Sequence, residues 1–169
     1  MLELASQSNL RLHRSNISRL LHSIWSIAGL DRQKWALAVD FVSVNKMRHL
    51  NHRYRGKQRP TDILSFKLND YSPVQFSFPL EDCKEEPLGH LFLCIPYVKR
   101  RLRFRERPDM RCLDMRLERL LVHGTCHLMG YDHETWNDYS TMFRQECRIL
   151  RALYKFKIFR RNKASSQYL

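Results

Sequence analysis

The spacing of apolar and polar positions divides the chain into short strands and longer amphipathic helices. Residues 2–8 read as a short first strand. Ile17, Leu20, Leu21, Ile24 and Ala28 then recur with the 3.6-residue period of a helix, which Ser15 or Asn16 can cap and Gly29 and Asp31 can close. Residues 35–44 alternate and are rich in strand formers, which predicts a strand. Asn45 is placed to cap the next helix, with Met47, Leu50, Asn51 and Tyr54 on one side and Gly56 at its end. A polar loop follows, and Ile63 to Phe66 begin another strand. Residues 69–87 hold Pro73, Pro79 and Pro87 among acids, which predicts a long irregular loop. Residues 88–95 form the third internal strand and run into the basic stretch from Lys99 to Arg105. A helix from about Cys112 to Met129 buries Leu113, Leu117, Leu120, Leu121 and Leu128. A last amphipathic helix carries Tyr139, Met142, Phe143, Cys147, Leu150 and Leu153.

This order predicts an α+β fold, in which a small mixed β-sheet of about four strands is packed by about four to five helices in a single domain. Residues 1–154 would form that domain and residues 155–169 a basic C-terminal tail, ending in a polar stretch expected to be disordered. There are no internal repeats and no glycine-rich phosphate loop.

Charge narrows the partners. The 30 Lys and Arg against 17 Asp and Glu give a formal net charge of +13, which points to a polyanion. No apolar run approaches the length needed to span a membrane, so nucleic acid is favoured over a membrane surface. Lys99 to Arg105 interleaves basic with aromatic and apolar residues and reads either as a solvated face or as a surface that tracks an RNA backbone. Five cysteines with no C-x-x-C pair read as reduced thiols rather than a disulfide frame. Residues 1–30 hold one acid, Glu3, among Arg, Ser and Leu, which suits a mitochondrial address, with the cytoplasm as the alternative compartment. The helical stripe within them argues against a presequence that is cleaved off.

The densest chemistry is Val122-His123-Gly124-Thr125-Cys126-His127-Leu128-Met129-Gly130-Tyr131-Asp132-His133-Glu134. His123 and His127 lie one helical turn apart on one face, so both imidazoles can reach a common point. Gly130 is the residue type that stops a helix in a left-handed conformation, and the chain can reverse through Tyr131 and Asp132 to bring His133 back to that point. Histidines are often half-buried for packing alone, but a third one behind a helix-ending glycine is hard to obtain by chance. Three neutral imidazoles with no fourth protein ligand make a catalytic zinc-type site, here one Zn2+ per chain, because the open position takes a water or a substrate oxygen. Cys126 adjoins His127 in sequence but points elsewhere on a helix, so it is not read as a ligand.

The spacing also matches H-E-x-x-H-x-x-G-x-x-H, whose glutamate is the general base of a peptidase. Gly124 stands at that position and has no side chain to take a proton, which disfavours peptidase chemistry. Glu134 lies past the turn, and nothing in the sequence aims it at the metal.

Leu50-Asn51-His52-Arg53-Tyr54-Arg55, Pro60-Thr61-Asp62-Ile63-Leu64-Ser65-Phe66, Leu88-Gly89 and the motif from His123 to His133 occur in this order across residues 35–150. Together they resemble the YbeY family of single-strand-specific endoribonucleases. The resemblance implies a zinc-type site at His123, His127 and His133 and a catalytic or phosphate-contacting arginine at Arg55. It implies action in rRNA processing, notably maturation of the small-subunit rRNA 3′ end, and in ribosome quality control. RNA and the small ribosomal subunit are then the expected partners, with ribosomal proteins as further candidates; organellar members are mitochondrial or chloroplastic. One departure is Gly89-His90-Leu91, where the family usually has Gly-Asp-Ile, and a second is the basic tail. The competing readings are a non-catalytic ribosome-assembly or RNA-binding module with a structural metal and, less favoured, a metallopeptidase.

Overall fold

A computed structural model describes residues 2–6, 14–31, 33–67, 86–105 and 110–165, with side chains described at 17–31, 33–67, 86–102 and 113–155. Nine elements follow in order: β1 (Leu2–Ser6), α1 (Arg14–Ala28), β2 (Trp35–Phe41), α2 (Val44–Arg55), β3 (Ile63–Phe66), β4 (Glu86–Leu93), α3 (Ile95–Arg105), α4 (Met110–Leu128) and α5 (Trp136–Ser165). The strands form one sheet in the order β1-β2-β4-β3. β1 and β4 flank β2 in parallel, whereas β3 pairs with β4 in the antiparallel sense, so the expected mixed α+β sheet is present.

Period-two alternation gives the sheet two buried faces. Leu37, Val39, Phe41, Ile63, Leu91 and Leu93 meet the apolar stripes of α1, α4 and α5, including Leu21, Ile24, Leu121 and Ile149. On the other side Leu64, Phe66 and Phe92 pack with Met47 and Leu50 of α2. Opposite Ala36 and Leu37 of β2, β4 carries one extra residue, Leu88, between Pro87 and Gly89, which shifts the register there. Gly89 has φ +147, and a Cβ there would fall on the Phe66 carbonyl oxygen and 2.7 Å from Leu128 Cδ2.

Several boundaries differ from the sequence-based expectations. The α2 cap is Ser43, not Asn45: β2 ends at Phe41, and the Ser43 side chain accepts from the Lys46 N–H at 3.2 Å. α1 begins at Arg14, which takes Ser15 and Asn16 into its first turn. The basic stretch after β4 is a helix, α3, with Pro96 in its first turn, where a missing N–H costs nothing. α5 does not close at Leu153 but continues to Ser165, because residues 136–165 contain neither glycine nor proline to stop it. The segment from Lys155 to Ser165 therefore continues α5 in its backbone. Most of the loop expected at 69–87 lies outside the described residues, and its last two positions, Glu86 and Pro87, belong to β4.

Candidate metal centre

α4 lies on the sheet through Gly124. A Cβ at this position would come within 2.9 Å of Ile63 Cδ1 and of Leu91 Cδ2 and 3.1 Å from Ser65 Oγ. The absence of a side chain therefore lets helix and strands approach closely, and a glutamate here would point into the core. The peptidase base is thus missing for a packing reason, which strengthens the case against peptidase chemistry. Leu120, Leu121, Val122 and Leu128 are buried on either side, so the backbone that carries His123 and His127 is held on the sheet. Cys126 is fully buried, and burial pushes its thiol up to about 12, which suits an inert core residue.

The helix ends as its glycine predicts. Gly130 adopts φ +99, its N–H donates to the His127 carbonyl at 3.0 Å, and the Tyr131 N–H donates to the Cys126 carbonyl at 3.1 Å. This cap turns the chain so that His133 returns toward the helix. One potential ligand atom from each of His123, His127 and His133 lies within 4.8 Å of the others. The ring centroids of His123 and His127 are 4.5 Å apart, those of His127 and His133 5.0 Å, and those of His123 and His133 5.6 Å.

Outer partners fix which nitrogens face inward. His123 Nδ1 lies 2.7 Å from Glu146 Oε1 on α5, and His127 Nδ1 lies 3.1 Å from the Tyr131 carbonyl oxygen. A carboxylate and a carbonyl only accept, so each Nδ1 carries the hydrogen and each Nε2 is left with a lone pair. Those two Nε2 atoms are 3.1 Å apart. With no hydrogen between them the contact is repulsive, and a cation between the lone pairs removes the repulsion. In a tetrahedral shell with bonds of about 2.0–2.1 Å, ligand nitrogens stand about 3.3 Å apart, so the pair is spaced for one ion. Burial, and then the neighbouring His123 and His133, lower the His127 pKa to about 4, which keeps it in the neutral form that a metal requires. The donor set fits a metal ion.

Arg55 is the last residue of α2 and is exposed, and it is not among the groups that the histidine rings meet. The loop after it is pinned to its surroundings. Gly56 caps α2 at φ +66, the Asn51 amide donates to the Arg59 carbonyl at 2.6 Å, and the Cys94 N–H donates to the Asp62 carbonyl at 2.9 Å. Arg116 of α4 donates to Asp62 at 2.6 Å, with Arg101 of α3 at 3.8 Å. Burial alone would raise the Asp62 pKa, but the Arg116 hydrogen bond and charge, with the Thr61 hydroxyl, hold it below the usual carboxylate range. His90 is not part of the centre. Strand alternation puts it on the face opposite Leu91, where it stacks on Phe92 at 4.0 Å and meets Asp40 at 3.1 Å.

Glu146 is the functional candidate that the sequence reading missed. It shares a helix face with buried Met142, Ile149 and Leu153, and an acid in an apolar stripe calls for a partner.

Fold and site define a class: an α+β domain presenting, at the end of a helix, three histidines that could hold a metal ion. Comparison with known proteins gives the family. The profile described as endoribonuclease YbeY matches residues 4–154. The chain is 39% identical over 109 residues to the endoribonuclease YbeY of Magnetococcus marinus, which covers 62% of this chain and 71% of that protein. It is 33% identical over 138 residues to the endoribonuclease YbeY of Halalkalibacterium halodurans, covering 80% and 83%. A Thermotoga maritima protein whose solution structure is known shares the fold, with a TM-score of 0.56 at 22% identity over 96% of this chain and 93% of that one. The chain belongs to the YbeY family.

Proposed function

We propose that the endoribonuclease activity of the family is exercised here at His123, His127 and His133, on single-stranded RNA during rRNA processing, notably at the small-subunit rRNA 3′ end. The observation that carries this reading is the pair of Nε2 atoms turned toward each other at 3.1 Å, with Glu146 and the Tyr131 carbonyl holding the outer nitrogens. Zn2+, one ion per chain, is the metal that three imidazoles with an open position best suit. Bound there, it would supply Lewis-acid polarisation of the scissile phosphate and a lowered pKa for a bound water.

The chain's own residues supply the rest. Glu146 orients His123, and the Tyr131 carbonyl orients His127. Arg55, exposed where α2 runs into the pinned loop, would bind the phosphoryl oxygens with two parallel donors, a task that lysine does poorly. The formal net charge of +13 attracts the strand over distance. Residues beyond 154 serve in this reading as a basic extension of the domain. The ribosomal small subunit and its proteins are the proposed partners. The mitochondrion is the proposed compartment, from the acid-poor N-terminal residues; Leu21, Ile24 and Trp25 are buried, so that address would be retained with the fold. No helix among the described residues is long and apolar enough to cross a membrane.

The test is cleavage of an rRNA fragment by tag-free wild type, His127→Ala and Arg55→Ala, with casein as control and metal content measured alongside. The expected result is RNA cut by wild type alone, intact casein and zinc at one ion per chain. RNA that wild type binds but never cuts would replace this reading with a binding module.

A further inference from the structure

The first half of α5 leaves three aromatic rings in water. Trp136, Tyr139 and Phe143 are 78%, 46% and 50% exposed. They stack in sequence, with centroids 5.7 Å apart at 22° and then 6.0 Å apart at 10°. Carbon atoms in contact are separated by about 3.5–4.0 Å, so near-parallel rings at these distances are offset or parted and keep much of each face open. Large apolar groups gain most of their stabilisation by leaving water, and a run of three exposed ones marks a surface with an occupant.

The rest of the helix indicates what that occupant is. Met142, Ile149 and Leu153 face the core, and Glu146 faces His123. Exposed Arg144, Arg148, Arg151 and Lys155 form a third face, and on a helical wheel the aromatic stripe lies between the inward face and this basic ridge. Hydrogen bonds from Arg144 to the Ser140 carbonyl at 3.2 Å and from Arg148 to Gln145 at 3.0 Å lay both guanidiniums along the helix. Between residues 143 and 155 the sole acid is Glu146, and the histidine centre engages it. The stripe also sits next to that centre. α5 begins at Trp136, three residues after His133, and returns to His123 through Glu146, so all three rings lie between those two points. Aromatic faces beside a line of cations are complementary to unpaired bases on a phosphate backbone.

We propose that this face of α5 is a stacking platform for unpaired RNA bases next to the histidine centre, with Trp136, Tyr139 and Phe143 beneath the bases and the arginine ridge along the phosphates. It rests on the ribonuclease reading above and adds the element that holds the strand. Every base has a π-face, so the platform tolerates any sequence, but it selects single strands because bases stacked within a duplex are not free to lie on it.

The test measures binding of the full chain to a single-stranded RNA of about a dozen nucleotides and to the same strand with abasic sites. Tyr139→Ala/Phe143→Ala should weaken binding of the RNA by about tenfold or more per ring while leaving the abasic strand and the salt slope unchanged. KM for cleavage should rise with kcat held, and Trp136→Phe should remove the tryptophan fluorescence that RNA quenches. Arg144→Gln/Arg148→Gln should instead weaken both strands and lower the salt slope by about one per charge. Equal loss on both strands, full rescue by Tyr139→Leu/Phe143→Leu, or a wild type that holds the abasic strand as tightly as the RNA would overturn the platform. If wild type cuts RNA and the ring variants bind and cut as it does, the platform fails and the ribonuclease reading stands. If wild type cuts no RNA, it is that reading which fails.

Discussion

On one side of the sheet His123 and His127 each give Nδ1 to an acceptor and turn Nε2 toward a shared point; on the other, His90 engages Asp40 through Nε2 and lies against Phe92. All three are at least partly buried. What separates them is geometry. The helix repeat places two imidazoles one turn apart, and a left-handed glycine adds a third, whereas strand alternation sets His90 among aromatic rings. A histidine becomes a ligand where its outer nitrogen is occupied and its inner one meets others of its kind; with a carboxylate on Nε2 and a ring beneath it, it is a packing residue. The difference from the family pattern at position 90 therefore falls on the far side of the sheet from the metal.

The largest effect is expected from His127→Ala. It removes a ligand from the middle of the triad, and bound metal and RNA cleavage should both vanish while the fold persists, as read by metal analysis and circular dichroism. A variant that keeps its full metal content would show that the convergence of the three rings is not a binding site. Glu146→Gln should act next most strongly. The amide preserves shape but not charge, and loss of such an outer partner costs on the order of 10–100-fold in metal affinity, measurable by competition with a chelator. An unchanged affinity would reduce Glu146 to a packing partner of α5.

Acid should weaken the fold at the histidine centre. The His127 pKa is lowered from 6.5 to about 4, first by burial and then by the neighbouring histidines. Between these values the unfolded chain takes up a proton that the folded chain refuses, so the unfolded state binds more protons and stability falls as pH falls. In metal-free protein the loss should begin below about pH 6.5 and level off near pH 4, and a shift of this size amounts to at most about 3 kcal/mol. Urea unfolding at a series of pH values measures it. His127→Asn should flatten that part of the profile; if it does not, the proton is taken up elsewhere.

Much of this site could be read from sequence because its logic is local: a spacing of four on a helix and a glycine behind it specify convergence without knowledge of the rest of the fold. Glu146 could not be read that way. Its partner is twenty-three positions earlier, and only the packing of α5 on α4 brings them together. Yet its place in line with Met142, Ile149 and Leu153 was visible as an acid on an apolar face. α3 was hidden for another reason. Ile95, Val98 and Leu102 have helical spacing, but they directly follow the apolar run of β4, so the two periods merge at Cys94 and the arginines dominate what remains. The full length of α5 is hard to read from sequence because the composition changes at Lys155, although composition alone does not stop a helix.

The smallest effect on the histidine centre is expected at His90. His90→Asn keeps a polar group facing Asp40 but removes the ring that rests on Phe92. The residue is 2% exposed, so the lost stacking and the partly filled space should cost about 1–2 kcal/mol of stability. Metal affinity, by contrast, should stay within about twofold, because strand alternation turns the His90 side chain away from α4 and onto Phe92. Thermal unfolding and chelator competition on one preparation give both numbers. A metal affinity that falls together with stability would mean that the α2 side shapes the histidine centre through β4, whose Leu91 lies against Gly124, and that the two faces act as one unit.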